Sequence, residues 1–172
     1  MLPQNAYHFC LRCGGKLKSV SEYVLQCKNC KFKVYINPVS CNGVIIENAK
    51  RDIMLVKRKV EPKKGYWDLP GGFIQPNENL EESVKREIKE ELNINVSVEK
   101  IVGIYNDTYE FQNVILPTLG VIVSVTTDSD NFIPADDISS YKFFSQEDVL
   151  KQKLAFKSLY KGLEDYFKIR YT

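Results

Sequence analysis

Apolar and polar positions alternate in different rhythms along this chain, and each rhythm predicts a different element. In the first 36 residues apolar side chains alternate with charged ones, as in KLKSVSEYVLQ, and Asn37-Pro38 separates this stretch from the rest of the chain. Beyond it the apolar blocks Gly43 to Ile46 and Ile53 to Val56, separated by the polar segment Glu47 to Asp52, predict a hairpin. Val96 to Ile104 and Thr118 to Thr126 predict further strands, the second a nearly continuous apolar run suited to the centre of a sheet. Leu80, Val84, Ile88 and Leu92 recur every four residues, which is the apolar stripe of a helix. Asn79, with Glu82 three residues later, reads as its capping box. Helical patterns return at Gln146 to Leu154 and at Phe156 to Arg170. The reading is a mixed α/β domain over residues 37–172, preceded by a small module over residues 1–36.

Composition changes this picture little. Hydrophobic content of 44% and charged content of 27% are ordinary for a packed globular chain. No stretch approaches the roughly twenty apolar residues of a membrane span, and the start carries no signal-peptide pattern, so the expected location is the cytoplasm, away from membranes. A formal net charge of +2 gives no general reason to expect a nucleic-acid partner. Locally, Arg12, Lys16, Lys18, Lys28, Lys31 and Lys33 stand against Glu22 alone in the first module, and a solvated surface is the simpler reading. A homodimer is compatible with the sequence.

The cysteines say more. Cys10-x-x-Cys13 and Cys27-x-x-Cys30 have zinc-ribbon spacing: each turn delivers two sulfurs, and four thiolates complete a tetrahedral site. A disulfide pair does not suit a chain without a secretion signal, and a redox CxxC does not explain two copies. Zinc would then supply folding free energy on the order of 10 kcal/mol to a module too small to hold itself together. Cys41 lies outside the pattern and reads as a small buried residue.

The segment GGFIQPNENLEESVKREIKEELNI, residues 71–94, carries the chemistry. At 100° per residue, Glu87 and Glu91 fall about 40° apart on the helix, with Glu90 close by, so three carboxylates share a side beside the apolar stripe. Like charges so placed suit a hard divalent cation, magnesium or manganese. The plainer alternative is a solvated acidic face paired with Lys85 and Lys89. Gly71 and Gly72 permit close approach of backbone to a phosphate or metal, and Glu78 is placed to pair with Arg86 and pin loop to helix.

These residues resemble the Nudix box: Gly72, Glu78, Arg86-Glu87, Ile88, Glu90-Glu91 and Ile94 match its pattern, and Asn93 replaces the final glycine as the commonest substitute in a left-handed cap. The resemblance covers about residues 38 to 172 and includes Tyr66 to Pro70. It implies a Nudix α/β/α sandwich with a mixed sheet, and the ribbon in front is similar to the NADH pyrophosphatase-like branch. It implies magnesium held by Glu87, Glu90, Glu91 and a carbonyl of Gly71 or Gly72, hydrolysis of a pyrophosphate bond in a nucleoside diphosphate derivative, and Glu87 as first choice for the base, with Asp136 or Asp137 second. Arg86 positions the set. Trp67, Tyr105, Tyr109 and Phe111 are candidates to stack on a base, against the plainer reading of core aromatics. The segment that follows the box in NADH pyrophosphatases is replaced here by GIYNDTYEFQNVILPTL, which argues against an NADH enzyme. The alternatives are a nucleotide-sensing regulator on the same fold, which would not require the full glutamate set, and an RNA-associated protein led by the basic ribbon.

Overall fold

A computed structural model describes residues 1–170. The chain divides into two compact units, residues 1–39 with 108–118, and residues 40–107 with 119 onward. In order, its elements are α1 (Pro3–Ala6), β1 (Leu17–Ser21), β2 (Val24–Cys27), β3 (Lys33–Tyr35), β4 (Val39–Ile46), β5 (Ile53–Arg58), β6 (Trp67–Asp68), α2 (Leu80–Leu92), β7 (Ser97–Phe111), β8 (Val114–Thr126), β9 (Ile138–Phe144), α3 (Gln146–Val149) and α4 (Lys157–Ile169).

In the smaller unit β1, β2 and β3 form an antiparallel sheet. Strands β7 and β8 are longer than the sequence predicts and meet at Gln112 and Asn113, both with positive φ. Their tip, residues 108–118, clusters with this unit. There the Asn113 and Ile115 backbone bonds Met1.

The larger unit is an α/β/α sandwich built on the sheets β4-β8-β7 and β6-β5-β9. Its central strands are buried on both faces, which is why they read as unbroken apolar runs. Alternation then sorts them: Val44, Ile46, Met54 and Val56 pack with Val84, Ile88 and Leu92 of α2. Ile45, Ile53 and Leu55 turn the other way, to Leu159, Leu163 and Tyr166 of α4. Each fully buried aliphatic of the α2 stripe is worth roughly 1.5–3 kcal/mol. On the α4 side a Cβ at Gly162 would run into Ile122 Cδ1, so the helix packs close to β8 there.

Two expectations need correction. The blocks 43–46 and 53–56 are joined by a turn with an antiparallel bridge, Glu47 to Ile53, but the strands then part into different sheets. Asn48 Oδ1 accepts from the Lys50 and Asp52 amides, closing the turn on itself, and β5 pairs instead with β9 from Ile53–Phe144 to Arg58–Ile138. The predicted helix 146–154 is a single turn, α3. Its second half is drawn into backbone pairing with β6: Trp67 N–H donates to Lys153 O and Ala155 N–H to Trp67 O. No described helix is long and apolar enough to cross a membrane.

Candidate active site and metal centre

Helix α2 starts where its capping box puts it. The Glu82 amide donates to Asn79 Oδ1 at 3.0 Å, and Glu82 Oε2 accepts from the Asn79 amide at 2.8 Å. It ends at Asn93 in the left-handed conformation, φ 56° and ψ 30°. Between these caps Arg86 is the hub. Its Nε and Nη2 grip the two oxygens of Glu78, the latter at 2.9 Å, and Nη2 also donates to Phe73 O at 3.1 Å. Nη1 donates to Glu87 Oε1 at 2.8 Å and Glu90 Oε2 at 3.0 Å. A planar guanidinium can serve loop and helix at once in a way an ammonium cannot. The clasp holds the Glu78 carboxyl down at about 2, through the Arg86 hydrogen bond first.

Strand β4 carries the loop in front of the helix. Val44 N–H donates to Pro70 O, Asn42 N–H to Gly72 O and Ile74 N–H to Ser40 O. Gly71 has φ +133°, and a Cβ there would lie 2.6 Å from Asn42 O; at Gly72 a Cβ would lie 2.6 Å from Glu87 Oε1. Gly71, with positive φ and backbone in the way, therefore excludes a side chain, while a side chain at Gly72 would push the Glu87 carboxylate aside. The Gly71 amide donates to Glu91 Oε2 at 2.9 Å. Glu91 is only 6% exposed, and burial pushes its carboxyl up to about 8 against that one amide, with Glu87, Asp68 and Asp136 adding negative charge nearby. Burial also raises Glu87, against the pull of Arg86.

The three glutamates thus occupy three environments: Glu91 inside, Glu87 against Gly72, and Glu90 with a half-exposed side chain on Arg86. All the side-chain donors are hard oxygens, and a buried carboxylate beside other negative charge gains from a divalent cation, so the set fits magnesium or manganese. Asp136 takes positive φ, 47°, in the segment that crosses the end of α2, where the Ala135 amide donates to Glu91 O. Asp136 and Asp137 are both exposed, and Lys59 binds their carbonyls. Trp67 is half-buried, edge-on to Phe144 at 5.1 Å, and Tyr105 donates to Asp165 Oδ2 at 3.2 Å. Both rings pack against the cluster beneath α4. Tyr109 and the exposed Phe111 lie in the hairpin tip of the smaller unit.

Other residues belong to this architecture without having been singled out from sequence. Asn42 Nδ2 donates to Ser83 Oγ at 3.0 Å, while its buried Oδ1 has no hydrogen-bond partner. Arg58 Nη1 pairs with buried Asp68 at 2.8 Å, and its Nε holds Pro62 O at 2.7 Å. Burial outweighs this pairing and leaves the Asp68 carboxyl raised to about 6. A polar Asn inside an apolar strand was the one available signal for Asn42; Arg58 had none.

In the smaller unit the Sγ atoms of Cys10, Cys13, Cys27 and Cys30 all lie within 4.8 Å of one another. Among the described residues they are the group of three or more His, Cys, Asp or Glu side chains whose ligand atoms could share one ion as they stand. Cys10–Cys30 and Cys13–Cys27 separations of 3.7 and 3.5 Å are close to the roughly 3.8 Å edge of a zinc tetrathiolate. Amides of Arg12 and Cys30 point at Cys10 and Cys27, and the Cys30 amide leads in drawing the Cys27 thiol down to about 6. The quartet fits a zinc ribbon.

Comparison with known proteins agrees with this geometry. The model of the NUDIX domain matches residues 38–166. An ADP-ribose pyrophosphatase of Methanocaldococcus jannaschii is 43% identical over 77 residues, 44% of this chain and 44% of the relative. An NAD-capped RNA hydrolase, NudC, of Haemophilus influenzae is 32% identical over 94 residues, 52% of this chain and 35% of the relative. The match thus spans less than half of either relative's length. A solved Nudix hydrolase from Nitrosomonas europaea superposes with a TM-score of 0.77 at 24% identity, over 95% of this chain and 92% of that one.

Proposed function

The chain belongs to the Nudix family, and from that premise we propose that it is a pyrophosphohydrolase cleaving a nucleoside diphosphate derivative with magnesium or manganese. The observation that carries this is the seating of Glu87 and Glu91 under Gly71 and Gly72, where Gly71 has no room for a Cβ, Gly72 lies directly against the Glu87 carboxylate, and Glu91 accepts from the Gly71 amide. Glu87, Glu90 and Glu91 would hold the divalent ions, whose chemistry is to neutralise the pyrophosphate and polarise phosphorus. The chain does the rest. Arg86 fixes loop to helix through Glu78, so the glycine backbone and the glutamates keep one spacing. Glu87, raised by burial, takes the proton of the attacking water, with Asp136 or Asp137 as the second candidate. The full glutamate set favours hydrolysis over a regulator that only senses nucleotide.

We further propose that residues 1–36 bind one structural zinc and that residues 37–172 form the hydrolase domain. Five free cysteines suit a reducing compartment, the cytoplasm. The substrate is of the ADP-ribose, dinucleotide or nucleotide-sugar type, a reading that the relatives named for ADP-ribose and for NAD-capped RNA support. Hydrolysis of ADP-ribose, NADH, diadenosine polyphosphates and nucleotide sugars, compared side by side with magnesium, tests this reading. Cleavage of at least one at the pyrophosphate is expected, with no large preference for NADH. A hundredfold NADH preference, ~2.7 kcal/mol in the transition state, overturns the substrate reading, and no hydrolysis of any overturns the enzyme.

A further inference from the structure

The ribbon sheet has one face turned to its thiolates and another that packs on nothing of its own strands. Strand pairing fixes the second: Lys18 stands opposite Gln26, Gln26 opposite Lys33, and Val24 opposite Tyr35. Side chains alternate along a strand, so these five share a face. Leu25 and Cys27, 2% and 0% exposed, point the other way. Tyr35 is 61% exposed. Lys18 and Lys33 are exposed too, on the two outer strands, about 10 Å apart across Gln26.

Charge is segregated in the same sense. Residues 1–36 hold six basic side chains against one acidic, leaving 18 basic against 21 acidic for the remainder. Four thiolates on a zinc ion carry two negative charges, and the ribbon stays cationic after that subtraction. A second copy of the chain would set lysine against lysine on this face. A ring next to Lys33 on the outer strand, with Lys18 across the sheet, matches a polyanion whose bases can leave their stack, and a duplex, with its bases inside, offers the ring nothing. Single strands with splayed bases are the form in which RNA is ordinarily read.

We propose that this face of the ribbon binds single-stranded RNA, with a base stacked on Tyr35 and the phosphates passing Lys18 and Lys33. The contact is independent of the hydrolase reading, and cleavage of a small nucleotide serves as the control.

The test is fluorescence anisotropy of a labelled mixed-sequence oligoribonucleotide titrated with the full, zinc-loaded chain at several salt concentrations. Saturable binding that weakens with salt is expected. Tyr35→Ala should weaken it roughly tenfold and Tyr35→Trp restore it. The double variant Lys18→Gln, Lys33→Gln should flatten the log–log salt slope by about 1.4. Each variant should keep one zinc per chain and its hydrolysis of small nucleotides, so that a loss of binding is not a loss of fold. The proposal is overturned by no binding at low salt, or by duplex RNA bound as well as single strands with Tyr35→Ala neutral. Tighter binding of single-stranded DNA, or of vesicles of anionic phospholipid, equally overturns the RNA assignment.

Discussion

Within residues 1–36 the buried side chains are Cys10, Cys27 and Leu25, with Pro3, so two of the would-be metal ligands are themselves the core. In the larger unit two apolar clusters close around the sheets with no glutamate in either, and Glu87, Glu90 and Glu91 are laid on that finished platform. The same kind of chemistry, a cluster of anionic ligands, therefore has opposite relations to stability. Removing ligands from the ribbon removes its interior. Removing them from α2, where Glu91 alone of the three is buried, leaves both apolar clusters in place and strips the chemistry.

Three experiments bear on this contrast. The largest effect is expected from Cys27→Ala, or from chelation, because structural zinc contributes folding free energy on the order of 10 kcal/mol. Amide exchange over residues 10–35 should rise to unfolded rates while α2 and the central strands stay protected. One zinc per wild-type chain by elemental analysis is the companion result, and a protected ribbon without metal would abolish the contrast.

Glu91→Gln comes next. The amide keeps an oxygen for the Gly71 N–H and the shape of the buried pocket, but removes the charge that holds a cation. Magnesium-dependent turnover should fall by about a hundredfold or more, ~2.7 kcal/mol, with the melting temperature preserved, and the loss should exceed that of Asp137→Asn. Wild-type turnover would remove Glu91 from the metal site; a collapsed melting temperature would give it to the core.

Glu78→Gln should produce the smallest change, and one that depends on pH. The folded carboxyl sits at about 2, below the ordinary 4.5, so the stability it brings is present above pH 4.5 and is lost as pH falls toward 2. Melting curves should show wild type a few degrees ahead of the variant at neutral pH, the gap closing through that acid window. A gap that persists at pH 2 would mean that the clasp acts through packing and not through charge.

Much of this site was legible because its information is local. The capping box, the four-residue stripe, the Glu78–Arg86 pairing across eight positions and the left-handed Asn93 all sit within one helix and its loop. What was not legible depends on strands distant in sequence. Glu91 is buried with the Gly71 amide on its carboxylate, whereas periodicity alone placed it on one side of the helix with Glu87 and Glu90. Asp68 is paired by Arg58 from a neighbouring strand, and Asn42 reaches Ser83 across forty-one positions. The hairpin 43–56 failed for the same reason: each strand found a better neighbour elsewhere, and only the turn kept the local plan.

The contact at Gly162 sets a mechanical tolerance for the C-terminal layer. Helix α4 rests on Ile122 through a hydrogen atom, and its sequence neighbours Lys161 and Leu163 are far too large for that place. The bare glycine lets the helix come close to β8 at this point. The Ser158 amide meets Asp107 Oδ2 at 2.7 Å and Asp165 meets the Tyr105 hydroxyl, two contacts about two turns apart on either side of Gly162. Positions 158, 162 and 165 fall on one face of α4, so a single close approach to the sheet serves all three.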